Sequence, residues 1–245
     1  MRYNVFSGAL FKVKRITRKN LKSDKFAQEV TTIWDWTAEH KDEVVRYGSI
    51  GVAVVLLVAG IFYYIRYQAG VREEALAAAL KIDGGSVGGS PQPGMLQFAT
   101  QEEKDKAWQK AFTDVAAKYH GTQEGGIAEM YLASAAADKG DLAGAEKRYL
   151  DVVDSAPSAY ASMARMALAE TYEAQGKNAE AEKILRDAMA HPTVTVSKEE
   201  ATIQLAVLTC KSKPDEARKM LEPLRAGRTA VSRAAVQALG DCAPK

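Results

Sequence analysis

Three histidines, two cysteines and one glycine-rich run are the residues of this chain best suited to chemistry. His40, His120 and His191 lie in three separate regions, and none belongs to an HExxH pattern or a carboxylate-rich cluster, so no metal ion is expected. His120 and His191 each follow a predicted helix, where an imidazole serves the free carbonyls of the last turn. The glycines of residues 84–94 follow no strand and precede no Gly-Lys-Ser/Thr, which excludes a phosphate loop. Gly84-Gly85-Ser86-Val87-Gly88 has the spacing of a G-x-S-x-G motif, but no strand precedes it, so no nucleophile elbow of a serine hydrolase is expected. Pairs such as Glu180 and Lys183 are solvated helix faces that contribute a few tenths of a kcal/mol, about 0.2–0.5. The chain is therefore not expected to be an enzyme. Catalytic, cofactor-binding and metal-binding residues are all expected to be absent, with no small-molecule substrate.

The elements that would position these residues begin with a charge break. The chain has 245 residues, is 47% hydrophobic and 26% charged, and carries a net charge of +2. That is enough apolar chain to bury a core and too much for a disordered polymer. Residues 1–46 hold ten Lys/Arg against six Asp/Glu, whereas residues 67–245 hold 22 against 25. Between Arg46 and Arg66 lie nineteen uncharged residues, YGSIGVAVVLLVAGIFYYI. As a helix they would be roughly 28 Å long, the thickness of a bilayer's hydrocarbon, with every backbone group satisfied internally. Tyr47 at one end and Tyr63, Tyr64 and Tyr67 at the other suit the headgroup boundary. The expectation is a single transmembrane helix over residues 47–67. The long head and the Tyr-Tyr-Ile-Arg-Tyr ending read as an uncleaved signal anchor rather than a cleaved signal peptide.

The basic residues of the head, Lys12, Lys14, Arg15, Arg18, Lys19, Lys22 and Lys25 among them, predict an N-terminus retained in the cytoplasm. Phe26, Val30, Ile33, Trp34, Thr37, Val44 and Val45 share one helical face, predicting an amphipathic helix over 23–46. An interfacial helix on an anionic leaflet, a partner-docking helix and a solvated spacer are all open readings of it. No nucleic-acid recognition module accompanies the charges, so no nucleic acid is expected.

After the span, Gln68 to Ile82 is Ala- and Leu-rich, so the helix is expected to continue out of the bilayer. Residues 83–94 hold five Gly and two Pro, which predicts a linker without regular structure and makes 68–100 an extension-and-linker region. Residues 101–245 then repeat themselves. Ala145-Glu146-Lys147 recurs 36 residues later as Ala181-Glu182-Lys183, Gly140 as Gly176, and Ala181 and Leu185 again as Ala217 and Leu221. A period near 35 with two helices per unit is the mark of a helical solenoid.

The first unit runs from Ala128 and Leu132 through Gly140, Ala145 and Tyr149 to Pro157. The second carries Leu168, Ala169, Tyr172, Gly176, Ala181, Leu185, Ala188 and Pro192. These resemble the tetratricopeptide pattern. Small residues allow close helix approach, glycine caps the first helix in the left-handed region, large residues fill the groove and proline stops the second helix. In the third unit Ser212 replaces the turn glycine and Lys213-Pro214 carries the turn. Glu102–Tyr119 reads as the second helix of an incomplete first unit paired with the extension of the membrane helix, and residues 229–239 as a terminal capping helix. The fold class is therefore all-α: a single transmembrane helix, then a TPR-like α-solenoid of about three imperfect helix-turn-helix repeats with a C-terminal cap.

One membrane helix followed by imperfect repeats, over residues 47 to about 240, is similar to the YfgM family. Its members have a SecYEG/CpoB-type tetratricopeptide-like domain and act as ancillary subunits of the bacterial SecYEG translocon. The resemblance implies a protein of the bacterial inner (plasma) membrane with a periplasmic repeat domain. Its partners would be the translocon, exported polypeptides and periplasmic chaperones. A scaffold organising envelope or cell-division complexes is the alternative. By helical position, Tyr131, Ala135, Arg165, Ala169 and Tyr172 are the candidates for a partner groove, with packing between repeats the other reading of Ala135, Ala169 and Tyr172. In an oxidising compartment Cys210 and Cys242 could pair, closing a loop of about 33 residues for roughly 3–4 kcal/mol; buried free thiols are the alternative.

Overall fold

The computed structural model describes residues 39–88, 94–226 and 229–242. The expected amphipathic helix of the head lies, over residues 23–38, outside the described residues. The chain divides into two units, 1–66 and 67–245.

In the first unit, the described residues belong mainly to helix α1 (Lys41–Asp83), which runs on into the second unit without a break. None of its apolar stretch is buried. Val52, Leu56 and Phe62 all stand in the open. A core helix would hide such a face, whereas this one is long and apolar enough to cross a membrane.

The second unit opens with the last turns of α1, where Leu76 and Ala79 are buried. The Gly/Pro-rich stretch departs from expectation: it contains a two-residue strand, β1 (Ser86–Val87), paired in parallel with β2 (Gln97–Phe98). Two features permit this. Gly85 lies so close to the Phe98 ring and to the Ile82 and Leu96 carbonyls that no side chain would fit, and Gly88 turns the chain with φ +68°. Lys104 donates to the Gly85 carbonyl at 2.7 Å and Trp108 Nε1 to Asp83 at 2.8 Å, holding the loop to the next helix.

The remaining elements are α2 (Gln101–Lys118), α3 (Gln123–Asp138), α4 (Leu142–Ser155), α5 (Ser158–Ala174), α6 (Asn178–Ala190), α7 (Lys198–Thr209), α8 (Pro214–Leu221), a 3-10 turn (Glu222–Arg225) and α9 (Ala230–Asp241). Starts are set by side-chain caps: Thr100, Thr122, Asp141, Ser197 and Thr229 each accept from a backbone N–H in the first turn. The hairpin turns α3–α4 and α5–α6 close as Schellman motifs. Gly140 (φ +81°) and Gly176 (φ +76°) sit in the left-handed region, and the next N–H reaches back to Ala136 or Tyr172. The α7–α8 turn closes instead by Ser212 and Lys213 N–H donating to the Thr209 carbonyl, and Pro214 starts α8. No residue there needs positive φ, so serine replaces glycine without strain.

Gly176→Ala is expected to cost about 1–2 kcal/mol. No neighbouring atom obstructs a Cβ at that position, so the cost is that of the left-handed backbone alone. Chemical denaturation of the variant checks it, and Gly176→Asn should lose less.

The core is a chain of four clusters, each shared by successive helices. Leu76 and Ala79 of α1 meet Phe112 and Val115 of α2 and Leu132 of α3. Ala133, Ala145, Tyr149 and Leu168 join α3, α4 and α5. Met166, Ala181, Leu185 and Leu205 join α5, α6 and α7. Ala206, Ala217, Leu221 and Ala235 join α7, α8 and α9. The repeated alanines at 145, 181 and 217 are fully buried, which is the close helix approach their spacing predicts. Each unit contacts only its neighbours, the packing of an α-solenoid. The cap, α9, closes the last cluster with Ala235 and Ala238.

Candidate protein-interaction surface

Polar links across the repeats fix the helices whose outer faces remain available. Arg72, on the α1 extension, reaches Glu124 in the first turn of α3 at 3.1 Å, and the Glu124 side chain is only 7% exposed. A carboxylate at that helix start meets both the guanidinium and the positive end of the peptide dipoles. Glu146 of α4 accepts from Lys177 at 2.8 Å and from Gln175 at 2.9 Å, and these donors hold its carboxyl below the usual glutamate range. The Lys177 ammonium also lies 5.2 Å from the Tyr172 ring centroid. Arg148 pairs with Glu129 at 2.7 Å, and Arg186 with both Glu182 and Glu216.

Hollows lie between these links, and three of them take in residues singled out for a groove. One, of about 250 Å³, is bordered by Asp83, by Lys104, Asp105 and Trp108 of α2 and by Ala135 and Lys139 of α3. A second, of about 370 Å³ and mostly apolar, runs between α4 and α6 over α5, lined by Leu150, Val153, Leu168, Tyr172 and Ile184 with Arg165, Lys183, Glu180 and Asp187 around it. A third, of about 170 Å³, lies between α5 and α7, with Leu185 of α6 as part of its lining.

The five residues singled out for a groove are divided among these places. Arg165 and Tyr172 come together in the α4–α6 hollow. Ala135 lines the first hollow, while Tyr131 is exposed with its ring 4.9 Å from that of Phe112. Ala169 borders the α5–α7 cleft but is 2% exposed and belongs to the core cluster there. On α5, residue 169 is rotated about 40° from 165 and about 60° from 172, enough to move it from one groove to the next. His120 contacts Asp151 at 3.2 Å and His191 contacts Asp187 at 3.1 Å, both at the surface. Among the described residues, no cluster of three or more His, Cys, Asp or Glu could hold a metal ion. Cys210 and Cys242 are joined by a disulfide, their Cα atoms 5.4 Å apart, linking the end of α7 to the end of α9.

Residues 44–159 match the model of a tetratricopeptide repeat-like domain family. The match begins inside α1, takes in the whole of its apolar stretch, and ends at the second residue of α5. The later helix pairs continue the same architecture beyond it. No curated protein and no solved structure matches the chain. A TPR-like domain of this kind is a protein-interaction module, and the fold is an all-α solenoid.

Reading single helices misses the carboxylates of the α5–α7 cleft, because glutamate on a helix looks like a solvated face. Glu170 accepts from Gln204 Nε2 at 2.7 Å. Desolvation raises its pKa from the ordinary 4.5, with Glu173 and Glu200 pushing the same way. The folded chain therefore holds this proton more tightly than the unfolded chain, and the stability penalty opens as pH rises through 4.5. Glu170→Gln keeps an acceptor for Gln204 and removes the charge. Its thermal midpoint is expected above that of the parent at about pH 7, with the gain gone below about pH 4; melts at the two pH values check this.

Proposed function

We infer that this chain is a membrane-anchored adaptor that recruits protein partners, working as an accessory factor of the SecYEG translocon and linking exported polypeptides to periplasmic chaperones. The observation that carries the reading is the family match over 44–159, which takes in part of an apolar helix as well as the helix pairs that follow it. The similarity to the YfgM family supplies the translocon. Basic residues of the head, 1–46, favour a cytoplasmic N-terminus, with the span at 47–67 and the repeat domain periplasmic in a bacterial inner membrane. The disulfide between Cys210 and Cys242 suits an oxidising compartment. Anchoring confines the repeats to two dimensions and raises their effective concentration near membrane partners.

Crosslinking in native membranes tests the function, with SecY and nascent chains expected among the products. Recovery of cell-wall enzymes or of self-contacts alone would favour an envelope scaffold. Resistance to alkaline carbonate extraction tests the anchor, and digestion of the repeat domain by protease added to spheroplasts tests its side of the membrane.

A further inference from the structure

The α5–α7 cleft combines an apolar lining with a rim of one charge. Leu185, Ile203 and Val207 line it, and Val207 is 42% exposed at the surface. Glu170 and Glu173 come from α5, and Glu200 stands one turn before Gln204 on α7. Several carboxylates elsewhere on the array have cationic partners: Glu124 has Arg72, Glu129 has Arg148, Glu146 has Lys177, and Glu182 and Glu216 have Arg186. Here the charged groups acting on Glu170 are both carboxylates, and its hydrogen-bond donor is the neutral amide of Gln204. The other end of that amide, Oε1, is buried and has no hydrogen-bond donor. Among the described residues none of Glu170, Glu173 and Glu200 forms an ion pair.

We propose that this cleft docks a short segment of a partner polypeptide in which an apolar side chain lies beside a lysine or arginine, the apolar group entering between α5 and α7 and the cation meeting Glu170, Glu173 and Glu200. The inference rests on the adaptor reading and names the chemistry its partner must carry. A hollow of about 170 Å³ is smaller than the roughly 300–1,000 Å³ of small-molecule sites and suits a single side chain. A rim of carboxylates repels nucleic acid and acidic peptides and attracts a basic segment, so the charge selects the partner while the apolar contact holds it.

The test uses the full chain in a zwitterionic detergent and a fluorescein-labelled peptide of alternating leucine and lysine, with a leucine–glutamate peptide as control. The parent is expected to bind the lysine peptide, more weakly as salt rises, and not the glutamate peptide. The triple variant Glu170→Gln, Glu173→Gln, Glu200→Gln should lose at least tenfold in affinity while keeping its helicity. Val207→Lys, a change at an exposed helix position, should lose as much by repelling the peptide's cations, and gives a second readout should the triple variant fold poorly. Equal binding of both peptides, no binding by the parent, or unchanged affinity in a folded variant overturns the proposal. So does a triple variant that loses self-association but not peptide affinity, which would assign the cleft to a second copy. Detergent co-purification separates this inference from the one beneath it. Partners that persist with the triple variant overturn the cleft and leave the adaptor intact, whereas a parent chain that recovers no protein overturns both.

Discussion

Phe112→Ala is expected to destabilise the repeat domain by about 3–5 kcal/mol, the cost of emptying a fully buried aromatic site. Phe112 lies in the cluster where the extension of α1, helix α2 and helix α3 meet, among Leu76, Ala79, Val115 and Leu132. Its ring is 4.6 Å from that of Trp108 and 4.9 Å from that of Tyr131, so the substitution removes two aromatic contacts as well as apolar area. Position in the array decides where the damage appears. Each cluster is shared by neighbouring helices only, so stability is a sum of local terms and nearest-neighbour interfaces. Amide exchange should accelerate in residues 67–83 and in α2 and α3, with the protection of α7 and α9 little changed. Uniform loss of protection from α2 to α9 would show that the array unfolds as one unit and would contradict the local account.

Removing the disulfide has the second large effect. Cys210→Ser with Cys242→Ser is expected to cost about 3–4 kcal/mol under oxidising conditions, from the loop the bond closes over a sequence separation of 32. The bond ties α9 to α7 across α8, and α9 covers Ala206, Ala217 and Leu221 at the end of the solenoid. Its loss should therefore expose the terminal cluster first, seen as protease cleavage in the 3-10 turn Glu222–Arg225 and faster exchange in α9. Reduction of the parent chain should reproduce the loss, and reductant should leave the double variant unaffected. Two titratable thiols in denatured, non-reduced protein purified from its native compartment would remove the premise.

Much of this architecture is legible along the chain. The nineteen-residue apolar run is a composition signal that needs no tertiary context, because a bilayer's thickness sets the length required. Gly140 and Gly176 are legible for a similar reason: both end a helix with positive φ, a backbone state that glycine enters freely. The alanines at 145, 181 and 217 mark the tight helix contacts, and all three are fully buried. The two-residue ladder at Ser86–Val87 is not legible, because composition rich in glycine and proline argues for a loop; packing of Gly85 against Phe98 overrides it.

By itself the sequence determined where helices run, where they turn and which stripe of each is apolar, since these depend on neighbours three to seven residues away. Tertiary structure alone decided which stripes share a groove. It sent Arg165 and Tyr172 to one hollow and Ala169 to another, brought Arg72 to Glu124 across 52 positions, and set Gln204 against Glu170 across 34. The physical reason is geometric: on a helix a rotation of about 40–60° separates neighbouring grooves, and the packing of adjacent helices sets the angle at which that boundary falls.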